Sequence, residues 1–321
     1  MLLSRTADAL YWLSRYLERA EHSARVIGVR LDLGLDRRSD EDGWHFERSY
    51  SSLRVKPPGP DQMPATPTAL VTRVFLDPNY RESVVACVSA ARANARQVRE
   101  EISSDMWAHL NALYLRLQQV MGDPSQATRP HSFAQLVIEG VHLFQGITDA
   151  TMGHGEGWQY LQAGRYLERA EATSALLDVH VLDDEGAGGG SGRSHQEEIG
   201  LLRSCSALEA YCRHYTADVR PERVLEFLLL SPEFPRSVRF AAKRLESSLR
   251  AIAQFASRRA GGKAERLAGR LHASLDYGQV DEIMDDDAHA FLASIGTLCA
   301  KIHAAIHQSY IGYPIESALP A

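Results

Sequence analysis

One stretch of charged and aromatic residues occurs twice in this chain. Residues 15–21, with the sequence Arg-Tyr-Leu-Glu-Arg-Ala-Glu, return unchanged as residues 165–171, at an offset of 150. A second pair follows in the same order, since residues 75–84 resemble residues 229–238. Two colinear matches at nearly one offset indicate an internal duplication of a unit of ordinary domain size. The sequence therefore predicts a first repeat over residues 1–150 and a second over residues 151–321, packed together as one domain.

Apolar residues recur at helical spacing through most of the chain. Between residues 6 and 33 the steps from one apolar position to the next are three or four, which is the period of a helix. The same pattern predicts helices over residues 84–102, 105–121 and 130–152, and strand-like alternation is scarce. The fold class predicted is therefore all-α, a multi-helix bundle built from two tandem, pseudo-symmetric helical repeats.

Two segments are predicted to be loops. Residues 56–67 contain five prolines, which cannot continue a helix. Residues 183–194 contain five glycines and are predicted to form a flexible, exposed loop. This loop has neither the glycine spacing nor the Gly-Lys-Ser/Thr sequence of a phosphate-binding loop, and no cofactor is predicted.

Charge and cysteine usage restrict the class of partner. The formal net charge is −6, whereas a protein that coats nucleic acid needs an excess of positive charge. Four cysteines without C-x-x-C spacing give no sign of a disulfide framework or metal site and favour a reducing compartment. No uncharged apolar stretch is long enough to predict a membrane span. We therefore expect a cytoplasmic protein that binds neither nucleic acid nor membrane.

On a helix, the repeated charged residues divide between two directions. Arg15, Glu18 and Arg19 share one face because they are three or four positions apart, and the second copy repeats this face. Glu21 points elsewhere, within i+4 reach of Arg25. The candidate residues for a ligand-binding or structural site are the charged members of both copies: Arg15, Glu18, Arg19, Glu21, Arg165, Glu168, Arg169 and Glu171.

Three interpretations of this motif remain open from the residues alone. The first is a solvated helix face, on which ion pairs contribute only a few tenths of a kcal/mol each. The second is a buried network in which arginines of each copy meet glutamates of the other across a pseudo-twofold axis. The third is a cleft whose guanidinium groups hold an anionic small molecule or peptide.

Other constellations carry weaker signals. His303 and His307 have the i, i+4 spacing of zinc ligands but lack the glutamate of H-E-x-x-H, so no metal site is predicted. The run from Asp285 to Asp287 precedes a predicted helix, where acidic residues complement the helix dipole. No serine or cysteine nucleophile motif is present in the sequence.

The repeated motif, together with residues 10–13 before it and residues 227–238, resembles the alpha-E domain family, which is named for helices with a recurring Glu-Arg motif. The resemblance runs from Leu2 to about Tyr313. It implies that the motif residues of both copies are the family's own, with Ser14 standing where members often have glycine. It also implies a setting beside, or fused to, a circularly permuted ATP-grasp amide ligase, often with a transglutaminase-like cysteine peptidase.

Together, the residues and the resemblance lead to two hypotheses. In the first, the chain is a non-catalytic helical partner of an ATP-grasp amide ligase and transglutaminase-like peptidase system that makes a peptide or amide-linked product. In the alternative, it is an enzyme or small-molecule-binding protein. Glu18 or Glu168 would then be a general acid or base, and the arginines would clamp an anion.

Overall fold

The computed structural model describes residues 2–36, 46–54, 67–122, 129–186, 195–216, 218–256 and 262–312. Within these ranges the chain forms fourteen α-helices and two short π-helical segments, without a strand, which confirms the all-α prediction. The α-helices are α1 (Ser4–Asp36), α2 (Phe46–Ser52), α3 (Pro67–Val71), α4 (Val84–Gln97), α5 (Ser104–Gly122), α6 (Pro130–Thr151), α7 (Glu156–Gly186), α8 (His195–Ser204), α9 (Leu208–Tyr215), α10 (Pro221–Leu230), α11 (Val238–Phe255), α12 (Lys263–Asp276), α13 (Val280–Asp285) and α14 (Ala288–Ile306). The π-helical segments are Thr72–Leu76 and His307–Ile311.

The largest difference between a predicted helix and the structure lies at the end of α4. The helix predicted over residues 84–102 is α4, which ends at Gln97, and Val98 leaves the helical conformation with φ −125° and ψ 33°. Val98 and Ile102 are nevertheless buried. The apolar spacing therefore continued past the helix end because the turn that follows still packs on the core.

The two predicted loops lie mostly outside the described residues. Helix α3 begins at Pro67, where a missing backbone N–H costs nothing, and residues 56–66 are not described. Helix α7 continues through Gly186, so residues 183–186 are helical rather than part of the predicted glycine-rich loop. Residues 187–194 of that loop are outside the described ranges.

The two longest helices, α1 and α7, pack against each other. The Leu2 backbone N–H donates to the Glu156 carboxylate at 2.8 Å, and the Ser14 hydroxyl donates to the Leu161 carbonyl at 2.6 Å. Later residues of α1 thus contact later residues of α7, so the two helices run in the same direction. Helix α1 also packs on α4 and α6, and α7 also packs on α11 and α14.

The second pair of matched segments forms the same local structure. Before α4, the Ser83 hydroxyl caps the helix by accepting the N–H three residues later, and it donates to the Asp77 carbonyl at 2.6 Å. Before α11, Ser237 caps the helix in the same way and donates to the Ser231 carbonyl. Side-chain oxygens at this position satisfy N–H groups that a helix start leaves without partners.

The C-terminal helical region is the most apolar part of the described chain. The segment Ala288–Ile311 is long and apolar enough, by length and composition alone, to cross a membrane. Its residues Leu292, Cys299 and Ile302 are buried in the core cluster. One segment of this kind is weak evidence for a membrane span, because the core helix of a bundle passes the same test.

The crossing of α1 and α7 depends on the absence of a side chain at Gly164. A Cβ atom there would lie 2.2 Å from the Tyr11 carbonyl oxygen and 2.5 Å from the Ser14 hydroxyl. We expect Gly164→Ala to lower the free energy of unfolding by about 3 kcal/mol in urea denaturation, because backbone atoms of α1 must move.

The matched control is Gly146→Ala on the exposed face of α6, where a Cβ would meet nothing within 4 Å. That variant is expected to gain up to about 1 kcal/mol from helix propensity. Equal stability of Gly164→Ala and wild type would contradict the close approach of the two helices.

Candidate functional site

Equivalent residues of the two motif copies exchange partners across the α1–α7 interface. The Arg169 guanidinium donates to both carboxylate oxygens of Glu18, at 2.6 and 2.8 Å. In the other direction, the Arg19 guanidinium donates to both oxygens of Glu168, at 2.7 and 3.2 Å. An arginine of the opposite motif therefore forms a bidentate ion pair with each glutamate, which is the strongest geometry for a guanidinium and a carboxylate.

Arg15 adds two further ion pairs on the Glu168 side. Its Nε donates to Glu168 at 2.6 Å and its Nη2 donates to Glu171 at 2.7 Å. Its Nη1 lies 3.2 Å from both the Tyr11 hydroxyl and the His303 Nδ1 atom. All three nitrogens of this guanidinium therefore have polar partners.

Glu21 is bound by two arginines that lie outside the repeated motif. Arg25, one helical turn further along α1, contacts its two oxygens at 3.0 and 3.1 Å and also donates to the Ser204 carbonyl. Arg236, at the start of α11, donates to Glu21 at 2.9 Å and lies 3.3 Å from Glu18. The predicted i+4 pairing of Glu21 with Arg25 is confirmed.

Arg165 is the one motif arginine that stands apart. Its Nη1 donates to the Gln162 side-chain oxygen at 3.5 Å, and it forms no ion pair with any carboxylate of the described residues. The structure thus places seven of the eight predicted residues in two adjacent clusters of ion pairs, which together are called the network here: Arg15, Arg19, Glu168 and Glu171 in one, and Glu18, Glu21 and Arg169 in the other. The interpretation in which arginines of each copy meet glutamates of the other therefore describes Arg15, Arg19 and Arg169 but not Arg165.

The network is buried. The side chains of Glu18 and Glu168 are 1% and 2% exposed. Burial alone would raise the pKa of Glu18, Glu21 and Glu168, but the adjacent guanidinium groups outweigh it and hold each pKa below the ordinary value. The pKa of Glu171 is raised, because burial there outweighs the attraction of Arg54 and Arg15. Such burial is inconsistent with a solvated helix face.

Sequence reasoning missed several members of the network. Arg54 lies 3.0 Å from Glu171 and Glu82 contacts Arg19, yet neither belongs to the repeated helix motif. His142, on α6, lies 3.4 Å from Glu21. A signal existed for Glu82 and Arg236, which occupy equivalent positions of the two matched segments, and not for Arg54 or His142.

The paired histidines near the C-terminus face α1. The His303 Nδ1 atom lies 2.9 Å from the Tyr11 hydroxyl, and its ring stacks on the Tyr11 ring. Burial, with the nearby Arg15 charge, lowers the pKa of His303 to about 4, so the ring is neutral at pH 7. Among the described residues, no group of three or more His, Cys, Asp or Glu side chains has the arrangement of a metal site.

Of the acidic run Asp285–Asp287, only Asp287 lies at the N-terminus of α14, because Asp285 is the last residue of α13 and Asp286 is its C-cap. The Asp287 side chain accepts the Ala290 N–H at 2.7 Å and so caps the helix. A separate apolar cavity lies at the C-terminal end of α7 and contains none of the motif residues. It is lined by Leu177, His180, Val181, Leu201, Pro221, Leu225 and Met284.

Comparison with known proteins identifies the family. A family model for a predicted alpha-helical domain with a conserved ER motif, named Alpha-E, matches residues 2–311. The chain belongs to the Alpha-E family. The Glu-Arg pairs that begin at Glu18 and Glu168 lie where α1 and α7 of this Alpha-E domain exchange ion pairs.

The Alpha-E chain is also similar to uncharacterized mycobacterial proteins. It is 24% identical to one from Mycobacterium bovis, and 24% and 23% identical to two from strains of Mycobacterium tuberculosis. Each match covers 94% of this chain and 35% of the relative, so the chain spans about a third of the length of these curated relatives. No solved structure matches the chain.

Removing one carboxylate of the Alpha-E network tests whether its pairing stabilises the fold. We expect Glu168→Gln to lower the free energy of unfolding by about 3–5 kcal/mol, because Arg15 and Arg19 would keep buried charges with too few partners. Glu233→Gln, on the exposed turn before α11, is the control and is expected to change it by less than about 0.5 kcal/mol. Similar effects of the two substitutions in urea denaturation would contradict a network that stabilises the fold.

Burial of His22 gives stability a pH dependence. Burial, with the Arg25 charge second, lowers the pKa of His22 to about 4, whereas an unfolded chain protonates histidine near 6.5. The folded pKa is the lower one, so this contribution is present above about pH 6.5 and is lost as the pH falls toward 4.

Between pH 7.5 and pH 5, wild type should therefore lose about 2 kcal/mol more free energy of unfolding than His22→Gln. Urea denaturation of both proteins at the two pH values measures this difference. Equal losses in the two proteins would show that His22 is not held neutral by burial.

Proposed function

We propose that this Alpha-E chain is a non-catalytic helical partner of an ATP-grasp amide ligase. The observation that carries the proposal is the reciprocal, buried pairing of Glu18 with Arg169 and of Glu168 with Arg19. Groups engaged in this way hold helices in place and are not free to act on a substrate. The motif is then the architectural centre of a domain whose outer faces meet other proteins.

The same proposal includes the two-unit architecture, with residues 1–150 and 151–321 as pseudo-symmetric copies. The two helices have corresponding packing partners, which supports it: α4 and α6 pack on α1, and α11 and α14 pack on α7. The equal caps at Ser83 and Ser237 support it as well. Two copies joined through their first helices form one domain, because Glu18 and Glu168 each find their arginine partners only in the other copy.

Acid or base catalysis by the motif glutamates is the weaker alternative. A general acid must hold a proton near neutral pH, and a general base must have a free oxygen for the proton it accepts. The arginines hold the pKa of Glu18 and Glu168 below the ordinary value, and both oxygens of each are bonded. These carboxylates therefore meet neither requirement.

A ligase partner agrees with the relatives' length and with the family resemblance. The matching region is about a third of each mycobacterial relative, so there it is covalently joined to further chain. In the proposal, this domain contacts in its partner what such a relative carries in the rest of its polypeptide. The resemblance adds the ATP-grasp ligase, a transglutaminase-like peptidase and a peptide or amide-linked product.

The proposed setting is the cytoplasm, without nucleic acid or membrane as partners. The net charge of −6 and four free cysteines support it.

A second candidate function is the binding of an anionic small molecule or peptide. It is favoured by one observation, the Arg165 guanidinium group, which forms no ion pair within the described residues.

Mixing this protein with a purified circularly permuted ATP-grasp amide ligase from the same organism tests the proposal. At about 50 μM of each, which reveals any micromolar Kd, analytical ultracentrifugation is expected to show a complex. ADP release by the ligase is expected to change at least about twofold, an effect of roughly 0.4 kcal/mol on its barrier. Serum albumin at the same concentration is the control. No complex and an unchanged rate would refute the partnership.

A further inference from the structure

Charge is balanced on one side of the ion-pair network and unbalanced on the other. The Glu168 cluster contains three guanidinium groups and three carboxylates: Arg15, Arg19 and Arg54, with Glu82, Glu168 and Glu171. The Glu18 cluster contains four guanidinium groups and two carboxylates: Arg25, Arg165, Arg169 and Arg236, with Glu18 and Glu21. The buried groups of the Glu18 cluster therefore carry two positive charges in excess, and the exposed Asp149 carboxylate is a further negative charge that acts on Arg165.

The imbalance arises from one exchange of residue type. In the matched segments Arg236 occupies the position of Glu82, so a cation stands where the first half has an anion. The Arg236 guanidinium forms an ion pair with the Glu21 carboxylate at 2.9 Å and lies 3.3 Å from the Glu18 carboxylate. Arg165 is the counterpart of Arg15, which pairs with Glu168 and Glu171. Arg236 occupies the equivalent carboxylates, Glu18 and Glu21, and Arg165 forms no ion pair with them.

Arg165 is buried and has donors to spare. Its side chain is 8% exposed, and its single hydrogen bond, to Gln162, is long at 3.5 Å. The Gln162 Nε2 atom is a buried donor without a partner in the described structure. The exposed Asp149 carboxylate, on α6, attracts Arg165 without forming an ion pair with it. Buried polar atoms of this kind are normally paired, so the Gln162 amide group needs an acceptor, and Arg165 beside it has no carboxylate partner within the described residues.

We propose that Arg165 and Gln162, beside the Arg169 guanidinium group, form a binding site for one oxyanion. The ligand is the carboxylate or phosphate group of a small molecule or peptide, whose paired oxygens match the planar fork of an arginine. This deepens the anion-binding candidate and does not depend on the ligase partnership.

The arginines differ in the direction in which their surroundings shift the pKa. Burial, helped by nearby guanidinium groups, lowers the pKa of Arg165 and lowers that of Arg236 to about 10. For Arg15 and Arg169 burial acts in the same direction, but Glu168 and Glu18 outweigh it and raise the pKa. A bound anion would give Arg165 a negatively charged partner, as Glu168 is for Arg15.

Melting temperature in the presence of inorganic phosphate or acetate tests the site. Each anion is titrated to about 50 mM with sodium chloride keeping ionic strength constant, and wild type is expected to melt about 3 °C higher. A response to phosphate alone identifies a phosphoryl group, a response to acetate alone identifies a carboxylate, and a response to both identifies a general oxyanion site.

Two variants decide whether Arg165 is responsible. Arg165→Gln is expected to lose the anion response, and Arg250→Gln, at a side chain that is 66% exposed, is expected to keep it. In chloride alone, Arg165→Gln should melt at or above wild type, because it removes a buried charge that lacks an ionic partner. No anion response in wild type, an equal response in Arg165→Gln, or a much lower melting temperature of that variant in chloride would overturn the proposal.

Discussion

The bonds that α1 and α7 exchange determine how the rest of this Alpha-E domain is arranged. Glu18 needs Arg169 and Glu168 needs Arg19, and all four side chains lie in the middle of the bundle. Removing charges from water is costly, and the cost is offset only if every group finds partners with good geometry. The two helices therefore have one acceptable alignment along their length. A shift of a single residue would separate the charges without returning them to water.

Close approach and charge pairing depend on each other. Gly164 lets the backbones touch, and this proximity lets short glutamate side chains meet arginines of the opposite helix. Tyr11 serves both purposes, since its carbonyl faces Gly164 and its hydroxyl contacts Arg15. Polar side chains thus specify the crossing, while the surrounding apolar helices supply most of the buried area.

The sequence was sufficient for the parts that depend on local spacing or on the duplication. Helix α1 and the pairing of Glu21 with Arg25 follow from the helix period, and the meeting of Glu18 with Arg169 was one of the interpretations suggested by the repeated motif. Arg54 and His142 could not be predicted, because their partners are distant in the chain and no pattern links them. The isolation of Arg165 could not be predicted for a related reason: Arg236, which binds Glu21 and lies near Glu18, is distant from the motif helix in the chain.

The shared direction of α1 and α7 has a consequence for synthesis on the ribosome. Because both helices start at the same end of the bundle, the chain must travel back along the length of α1 before α7 can begin. Glu18 and Arg19 therefore leave the exit tunnel about 150 residues before their partners, a delay of about 10–30 s at ordinary elongation rates. During that interval the first half exposes the apolar and charged face that α7 later covers, which makes nascent α1 a natural substrate for chaperones.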